Sequence, residues 1–184
     1  MSDLLAIVRN LQRLEALNRT GLLDSPPEES FDRFTRLATR LFKTPVALVS
    51  LVDADRQFFK SAIGLPEPWQ TRRETPLTHS FCKHAVAQQE PLIIADARKD
   101  PTFRQNPAVR DLKIVAYAGV PLTLSTGSAL GAFCVIDNEP HAWSYDEVQM
   151  LRELAACVMH EIDLRGRLRE ADARVKRLES SNHL

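Results

Sequence analysis

Apolar residues dominate a stretch of 23 residues without a charged side chain, from Ile114 to Ile136. This length would suit a membrane span, but the turn-forming residues 125–128 interrupt it. The pattern therefore predicts a β-hairpin with strands at 115–124 and 129–137. On the first strand Tyr117 and Gly119 alternate with Ala118, Val120 and Leu122; on the second Leu130, Ala132, Cys134 and Ile136 alternate with Phe133 and Val135. Both sets are mainly apolar, so both faces of the sheet need a covering layer.

The pattern predicts a second hairpin upstream of the first. Residues 46–52 are a continuous apolar run rich in β-branched side chains, which is typical of a buried strand. Residues 53–55 form a tight turn into a second strand at 57–63. The following segment, 64–78, loses periodicity and contains three prolines, so we expect a long loop there. Loops of this length inside a compact domain are more often functional than not.

Helical spacing marks the two ends of the chain and one segment between them. Residues 3–18 have the 3–4 spacing of one amphipathic helix, and residues 27–43 predict a helix with an aromatic face that packs on the sheet. A short helix at 79–89 and a short strand at 91–95 follow. The fold class indicated is therefore α+β, with two hairpins in a central antiparallel sheet that other elements cover.

The final helix carries two apolar rows. Its start is predicted at the capping box of Ser144 and Glu147. The first row, Val148, Leu151, Ala155, Val158 and Ile162, is expected to pack on the sheet. The second row follows the 4-3 spacing of a coiled coil and is expected to form a homodimer interface: Met150, Leu154, Cys157, Glu161, Leu164, Leu168, Ala171, Val175 and Leu178. The predicted domains are an N-terminal amphipathic helix at 1–19, a globular domain at 20–163 and a coiled-coil linker helix at 164–184.

Composition narrows the classes of partner. Lysine plus arginine and aspartate plus glutamate are 24 each, so no net charge draws the protein toward nucleic acid or acidic lipid. The first residues lack a basic and then apolar leader, which favours a cytoplasmic location without membrane insertion. The three cysteines are an odd number without metal-type spacing, which indicates reduced thiols rather than a disulfide framework.

The motifs taken together resemble a bacterial GAF domain over residues 13–164. They are, in chain order, LLDSPPEESFDRFTRLA, VALVSLVDADRQFFKSAIGL, HSFCKHAV, PLIIADARKDPTF, YAGVPL, LGAFCVID and WSYDEVQMLRELA. The resemblance implies a GAF-like sheet with the first and last helices of the domain on one face and a pocket under loops and a short helix on the other. It also implies a sensory role upstream of an output domain that this sequence does not contain, with a diguanylate cyclase favoured.

Several known variants of this family fit the sequence poorly. The cyclic-nucleotide signature combines an Asn-Lys pair with Asp-Glu, and only Asp146-Glu147 is present. Attachment of a bilin often uses Cys followed directly by His, whereas Lys83 separates Cys82 from His84. A GAF-fold methionine sulfoxide reductase needs reactive cysteines near the pocket, and only Cys82 and Cys134 could serve. These readings stay as less favoured alternatives.

Metal, catalytic and nucleic-acid sites are not predicted. His79 and Cys82 share a helix face, but His84 points away from Cys82, so the three side chains cannot converge on a metal. No set of nucleophile, base and orienting group stands out, and no cofactor is identified. Acidic residues interleave the basic ones on the last helix, as on the flanks of a coiled coil, which disfavours DNA binding.

The candidate ligand site follows from which elements can cover the non-helical face. If an unidentified small molecule binds, we expect it to be bordered by Arg73, Ser80, Phe81, Cys82, Tyr117 and Cys134. The alternative is a ligand-free dimerisation module in which Trp69 and Phe81 fill the pocket. An open cavity of mixed polar and apolar lining would favour the ligand-binding reading.

Overall fold

The two predicted hairpins lie side by side at the centre of one antiparallel sheet. A computed structural model describes residues 2–181; Met1 and residues 182–184, at the ends of the predicted helical segments, lie outside the described residues. The strands are β1 (Val46–Val52), β2 (Arg56–Ile63), β3 (Glu74–Pro76), β4 (Leu92–Ile94), β5 (Ala116–Thr123) and β6 (Ala129–Asp137). They pair in the order β3-β2-β1-β6-β5-β4, so β1 and β6 join the two hairpins. The predicted α+β class with an antiparallel sheet is confirmed.

Helices cover both faces of this sheet. They are α1 (Ser2–Val8), α2 (Leu11–Arg19), α3 (Glu29–Phe42), α4 (Trp69–Arg72), α5 (Cys82–Gln88), α6 (Pro107–Asp111) and α7 (Tyr145–Ser181), with a 3-10 turn at Leu77–His79. One core, which we call the helical face, joins α3 and α7 to sheet residues such as Val49, Phe133 and Val135. The other core, the pocket face, joins α5 to residues such as Phe59 and Cys134.

The N-terminal segment is two helices, so the prediction of one helix over 3–18 was wrong. The chain breaks at Arg9 and Asn10, where the Asn10 side chain accepts a hydrogen bond from the backbone N–H of Arg13 at 3.1 Å. Arg13 is only 5% exposed, and its guanidinium donates to the carbonyls of Val8 and Ala129. Burial lowers the pKa of Arg13 to about 10, so it stays charged at neutral pH. As a result α1 packs on α5, and α2 places Leu17 in the helical face.

The segment 64–78 is more ordered than the predicted loop. It contains α4 and the edge strand β3, in which Thr75 pairs with Gln57 of β2. The helix expected at 79–89 begins at Cys82, because residues 77–79 form a 3-10 turn first. Propensity gave no signal for β3, since its three residues are stabilised by pairing with a strand distant in sequence.

The register of β5 and β6 places Tyr117 and Cys134 on the pocket face, as their alternation predicts. Tyr117 pairs with Ile136, and Gly119 pairs with Cys134. Leu130 was assigned to the same face as Cys134, and that prediction was wrong. The register shifts between the partners of Leu122 and Thr123, so Leu130 is an extra residue that lies on the helical face.

Helix α7 starts and packs as predicted. The backbone N–H of Ser144 donates to the Glu147 carboxylate at 2.8 Å, and the Glu147 N–H donates back to the Ser144 hydroxyl at 3.2 Å. The row Leu151, Ala155, Val158 and Ile162 is buried in the helical face, and Val148 is half-buried. The helix then continues to Ser181 beyond the sheet. Across residues 2–181, no helix is both long and apolar enough to cross a membrane.

Candidate functional site

The pocket face is closed by the start of α5 and the turn before it. The Ser80 hydroxyl donates to the Gln57 side-chain carbonyl at 2.7 Å and accepts from the backbone N–H of Lys83 at 3.0 Å. Gln57 also donates its amide to Thr75 at 3.0 Å. These bonds between buried groups fix α5 against the edge of the sheet, so the cover is part of the folded core.

The space beneath this cover is a cavity of about 10 Å³. That volume accommodates about one water molecule. Phe81 is 2% exposed, and its ring stacks on Phe103 at 4.6 Å and packs against Tyr117 at 5.4 Å. Trp69 contacts His79 at a ring distance of 5.4 Å and packs at the margin of the same core. Aromatic side chains therefore fill the volume where a small-molecule ligand was expected.

Two thiols and a phenol meet beside the cavity, and Cys82 and Tyr117 of this cluster line it. The sulfur atoms of Cys82 and Cys134 are 4.0 Å apart, and the Tyr117 hydroxyl donates to the Cys82 sulfur at 3.2 Å. A Cβ atom on Gly119 would collide with the Tyr117 hydroxyl, so only glycine leaves space for this ring. All three side chains are essentially buried.

The electrostatics of the three groups single out Cys82. Hydrogen bonds from Cys134 first, and also from Tyr117, hold the pKa of Cys82 below its ordinary value despite burial. Burial raises the pKa of Tyr117 and of Cys134 well above the usual range, so both stay protonated and act as donors. Cys82 is thus the acceptor of the cluster and its most acidic thiol.

Five of the six predicted ligand-site residues come together, and Arg73 does not. Phe81, Cys82 and Tyr117 line the cavity, and Ser80 and Cys134 contact its lining residues Gln57 and Cys82. Arg73 instead ends α4 in a left-handed conformation and donates to the carbonyls of Ser25 at 2.9 Å and Lys60 at 3.0 Å. Its guanidinium lies 4.9 Å from the ring of Phe58, which belongs to the helical face.

The histidines near α5 also separate. His79 contacts the Asp111 carboxylate at 3.1 Å, whereas the His84 ring packs edge-on against Phe103 at 4.7 Å. Burial lowers the pKa of His84 to about 4, so this imidazole is neutral at pH 7. Among the described residues, no group of His, Cys, Asp and Glu could hold a metal ion.

A second cluster, which sequence reasoning missed, connects the sheet to α7. Glu28 accepts hydrogen bonds from Lys60 of β2 and from Arg165 of α7. Lys60 is fully buried, and its ammonium also donates to the Ser25 hydroxyl and the Pro26 carbonyl, both at 2.7 Å. Burial opposes ionisation of Glu28, but the bonds from Lys60 and Arg165 outweigh it and lower its pKa. We call this cluster the Glu28 bridge. The available signal was a lysine that directly follows the apolar pair Phe58 and Phe59 of a strand.

The predicted dimer row lies mostly on the surface of α7. Leu154 is an exception, since it is 8% exposed and belongs to the helical face of its own chain. Met150 and Cys157 are exposed, and Glu161 is half-buried beside Arg165 at 3.9 Å. Beyond them Ala171 is exposed, and Leu164, Leu168, Val175 and Leu178 are 52–58% exposed.

A six-stranded antiparallel sheet between helices places the chain in the α+β class of small domains. The family model of the GAF domain matches residues 26–162, and the chain belongs to the GAF domain family. It is 40% identical over 148 residues to the cyclic di-GMP phosphodiesterase PA2567 of Pseudomonas aeruginosa. That match covers 79% of this chain but 24% of the relative, so the chain spans about a quarter of the length of that protein.

Solved structures support the fold. The GAF domain of an Acinetobacter phosphoenolpyruvate-protein phosphotransferase superimposes with a TM-score of 0.63 at 17% identity, covering 86% of this chain and 98% of that one. The PixJ GAF domain of Thermosynechococcus elongatus has a TM-score of 0.61 at 18% identity, covering 94% and 98%. A type II free methionine-R-sulfoxide reductase from Thermoplasma acidophilum has a TM-score of 0.53 at 14% identity, covering 72% and 92%. Identities this low establish the shared fold alone.

Proposed function

We propose that this GAF domain is a regulatory module that passes the state of its core to an output domain through α7. The observation that carries the proposal is the Glu28 bridge, which ties the buried Lys60 of β2 to Arg165 of α7. Arg165 lies one turn after Ile162, the last α7 residue buried in the helical face. A rearrangement of the sheet would therefore act on α7 where it leaves the domain.

The exposed row of α7 supports a second copy of this chain as the partner. Leu164, Leu168, Val175 and Leu178 follow a heptad pattern and are already about half covered. Burying the rest contributes about 1 kcal/mol per side chain, hence about 8 kcal/mol for a dimer. The cost of association is of the same order, about 4–15 kcal/mol, so the row alone gives a weak dimer. A low dimer affinity suits regulation, because small changes in α7 then alter the fraction of chains that are dimeric.

The output class is inferred from the relative rather than from this chain. The aligned relative is named a cyclic di-GMP phosphodiesterase, and this chain matches only part of it. We infer an output domain, in cis or in trans, that acts on cyclic di-GMP, with a phosphodiesterase favoured. A diguanylate cyclase, the output expected from sequence, remains the second candidate. The GAF domain itself is assigned a regulatory and not a catalytic role.

The size of the cavity favours a domain whose resting state is ligand-free. A space of about 10 Å³ is far below the several hundred Å³ of a typical small-molecule pocket. Any larger ligand would have to displace Phe81, which stacks on Phe103. The dimerisation module with a closed pocket is thus better supported than the ligand-gated reading.

The dimer is tested by light scattering of the purified chain at micromolar concentration. We expect a dimer that dissociates when Leu164→Lys and Leu168→Lys are combined. The matched control combines Glu170→Lys with Ala173→Lys, two exposed positions off the seam, and should remain dimeric. A monomeric unmutated chain, or a dimer indifferent to the leucine changes, would refute the proposed transmission by dimerisation.

The bridge is tested separately by hydrogen exchange. Glu28→Gln should speed exchange of α7 amides around Arg165, while amides near Leu151, which pack on the sheet, keep their protection. Equal protection in both proteins would show that the bridge does not hold α7.

A further inference from the structure

We propose that Cys82 and Cys134 are a redox pair that hydrogen peroxide converts from two thiols into one disulfide. The two sulfur atoms come from different elements, α5 and β6, and face each other at 4.0 Å inside the core. A disulfide requires about 2.05 Å, so the sulfur atoms must approach by about 2 Å. This inference does not depend on dimer formation or on an output domain.

The surroundings of the pair assign a different role to each sulfur. The Tyr117 hydroxyl donates to Cys82 at 3.2 Å, and Gly119 provides the space that this hydroxyl occupies. The Tyr117 hydroxyl and the Cys134 thiol therefore both donate to the Cys82 sulfur. These bonds favour the Cys82 thiolate and make Cys82 the attacking sulfur. The pKa of Cys134 is raised by burial, so Cys134 stays protonated until it resolves the intermediate.

The reaction balances in two steps. The Cys82 thiolate attacks one peroxide oxygen, the O–O bond breaks, and the leaving hydroxide takes up a proton to become water. Cys82 is then a sulfenic acid. The Cys134 sulfur attacks the Cys82 sulfur, the S–O bond breaks, and the second hydroxide leaves as water with the Cys134 proton. Two thiols lose two electrons in total, and one peroxide is reduced to two waters.

The cavity beside Cys82 selects the oxidant by size. Its volume of about 10 Å³ suits one water-sized molecule, and Phe81 and His79 lie in its wall. Hydrogen peroxide is the hydroperoxide nearest to water in size, whereas an alkyl hydroperoxide requires the cover to open. Burial thus slows general oxidation without excluding the smallest oxidant.

Cys157 provides the internal comparison, because it is exposed on α7 without a thiol beside it in the described structure. Its reaction with peroxide leads to a sulfenic acid or to a bond between chains rather than within one. We therefore use Cys157→Ser as the background for the experiment, which leaves two thiols per chain.

The experiment treats this variant with hydrogen peroxide and follows its intact mass and free thiols after unfolding. We expect loss of two hydrogens per chain, no free thiol, a peptide linking Cys82 to Cys134, and full reversal by dithiothreitol. With tert-butyl hydroperoxide we expect a slower reaction. If both thiols stay free at a peroxide concentration that fully oxidises the unfolded chain, the redox pair is refuted. If both oxidants react at equal rates, the selection by size is refuted.

Two substitutions test the assigned roles. Adding Cys134→Ser should stop the reaction at a sulfenic acid on Cys82, trapped by dimedone, whereas adding Cys82→Ser should abolish the fast reaction. Tyr117→Phe removes one donor to Cys82, so the pKa of Cys82 should rise and its thiolate fraction should fall. The higher nucleophilicity of the less acidic thiol offsets part of this loss, so oxidation should slow but not stop. The pH profile of the rate should shift upward in Tyr117→Phe; an unchanged profile would remove Tyr117 from the mechanism.

Discussion

The Glu28 bridge predicts that loss of the Glu28 carboxylate destabilises the fold more than loss of the neighbouring surface carboxylate of Glu29. Glu28→Gln removes the carboxylate that faces the buried Lys60 ammonium and Arg165. Breaking a buried pair costs about 3–5 kcal/mol when the remaining charge is uncompensated. Lys60 keeps its bonds to Ser25 and Pro26, and Glu28 is 25% exposed, so we expect about 2 kcal/mol.

Urea unfolding followed by circular dichroism measures this loss. With a slope of about 2 kcal/mol/M, the midpoint should fall by about 1 M without a change in slope. The control is Glu29→Gln, because Glu29 pairs with Arg36 on the surface and its loss should move the midpoint far less.

A double-mutant cycle identifies the source of the effect. Where Lys60→Met has already removed the buried ammonium, Glu28→Gln should cost much less than in the unmutated chain. The interpretation fails if Glu28→Gln and Glu29→Gln shift the midpoint equally. It also fails if the cost of Glu28→Gln is independent of Lys60.

Two further predictions concern buried titratable groups. The pKa of His84 is lowered to about 4 by burial, so the unfolded chain binds the proton more readily, and stability should be lost as pH falls from 6.5 toward 4. Between pH 7.5 and 5 the expected loss from His84, discounted for its partial exposure, is about 1.5 kcal/mol. His84→Gln should reduce the pH dependence of the urea midpoint by this amount, and an unchanged dependence would contradict it. A maleimide should label only Cys157 in the native chain and all three thiols after unfolding, because Cys82 and Cys134 are buried; labelling of either in native protein would show an open pocket.

The sheet was predictable because its pattern is local. Alternation along β5 and β6 fixed which side Tyr117 and Cys134 occupy, since a strand has a period of two residues. Leu130 departs from this alternation because a β-bulge adds one residue to β6 there. The residue types around Leu130 do not indicate a bulge. The buried row of α7 was equally clear, because Leu151 to Ile162 keep helical spacing over several turns.

The interior polar contacts were not predictable, because they depend on partners distant in sequence. Arg13 fits an exposed helix position by spacing, yet it is buried through bonds to Val8 and Ala129. Arg73 carries no local sign that its side chain turns toward Lys60 and away from the pocket. Such side chains are placed by tertiary contacts that overrule local preference.

That the pocket is closed could not be predicted from the sequence, because closure depends on how the core packs. Of the six side chains expected to border the space, Phe81, Cys82 and Tyr117 line the cavity. Ser80 and Cys134 lie next to lining residues, and Arg73 lies elsewhere. Whether Phe81 fills that space or leaves it open depends on its fit against Phe103, a residue 22 positions later in the chain. Packing density is a property of the assembled core, and a pattern of hydrophobic positions does not contain it.

The break at Arg9 and Asn10 gives the chain two mechanical attachments in parallel. Arg13 fastens the end of α1, which lies over α5, and α2 carries that connection to its own C-terminal end. There Arg169 of α7 donates to the carbonyls of Thr20 and Gly21. One attachment therefore joins α5 to α7 by way of α1 and α2, around the edge of the sheet. The other, the Glu28 bridge, joins strand β2 of the sheet to α7. Both reach α7 within about one helical turn, at Arg165 and Arg169 beyond its buried row. This part of α7 is therefore freed from the domain only when both attachments are broken.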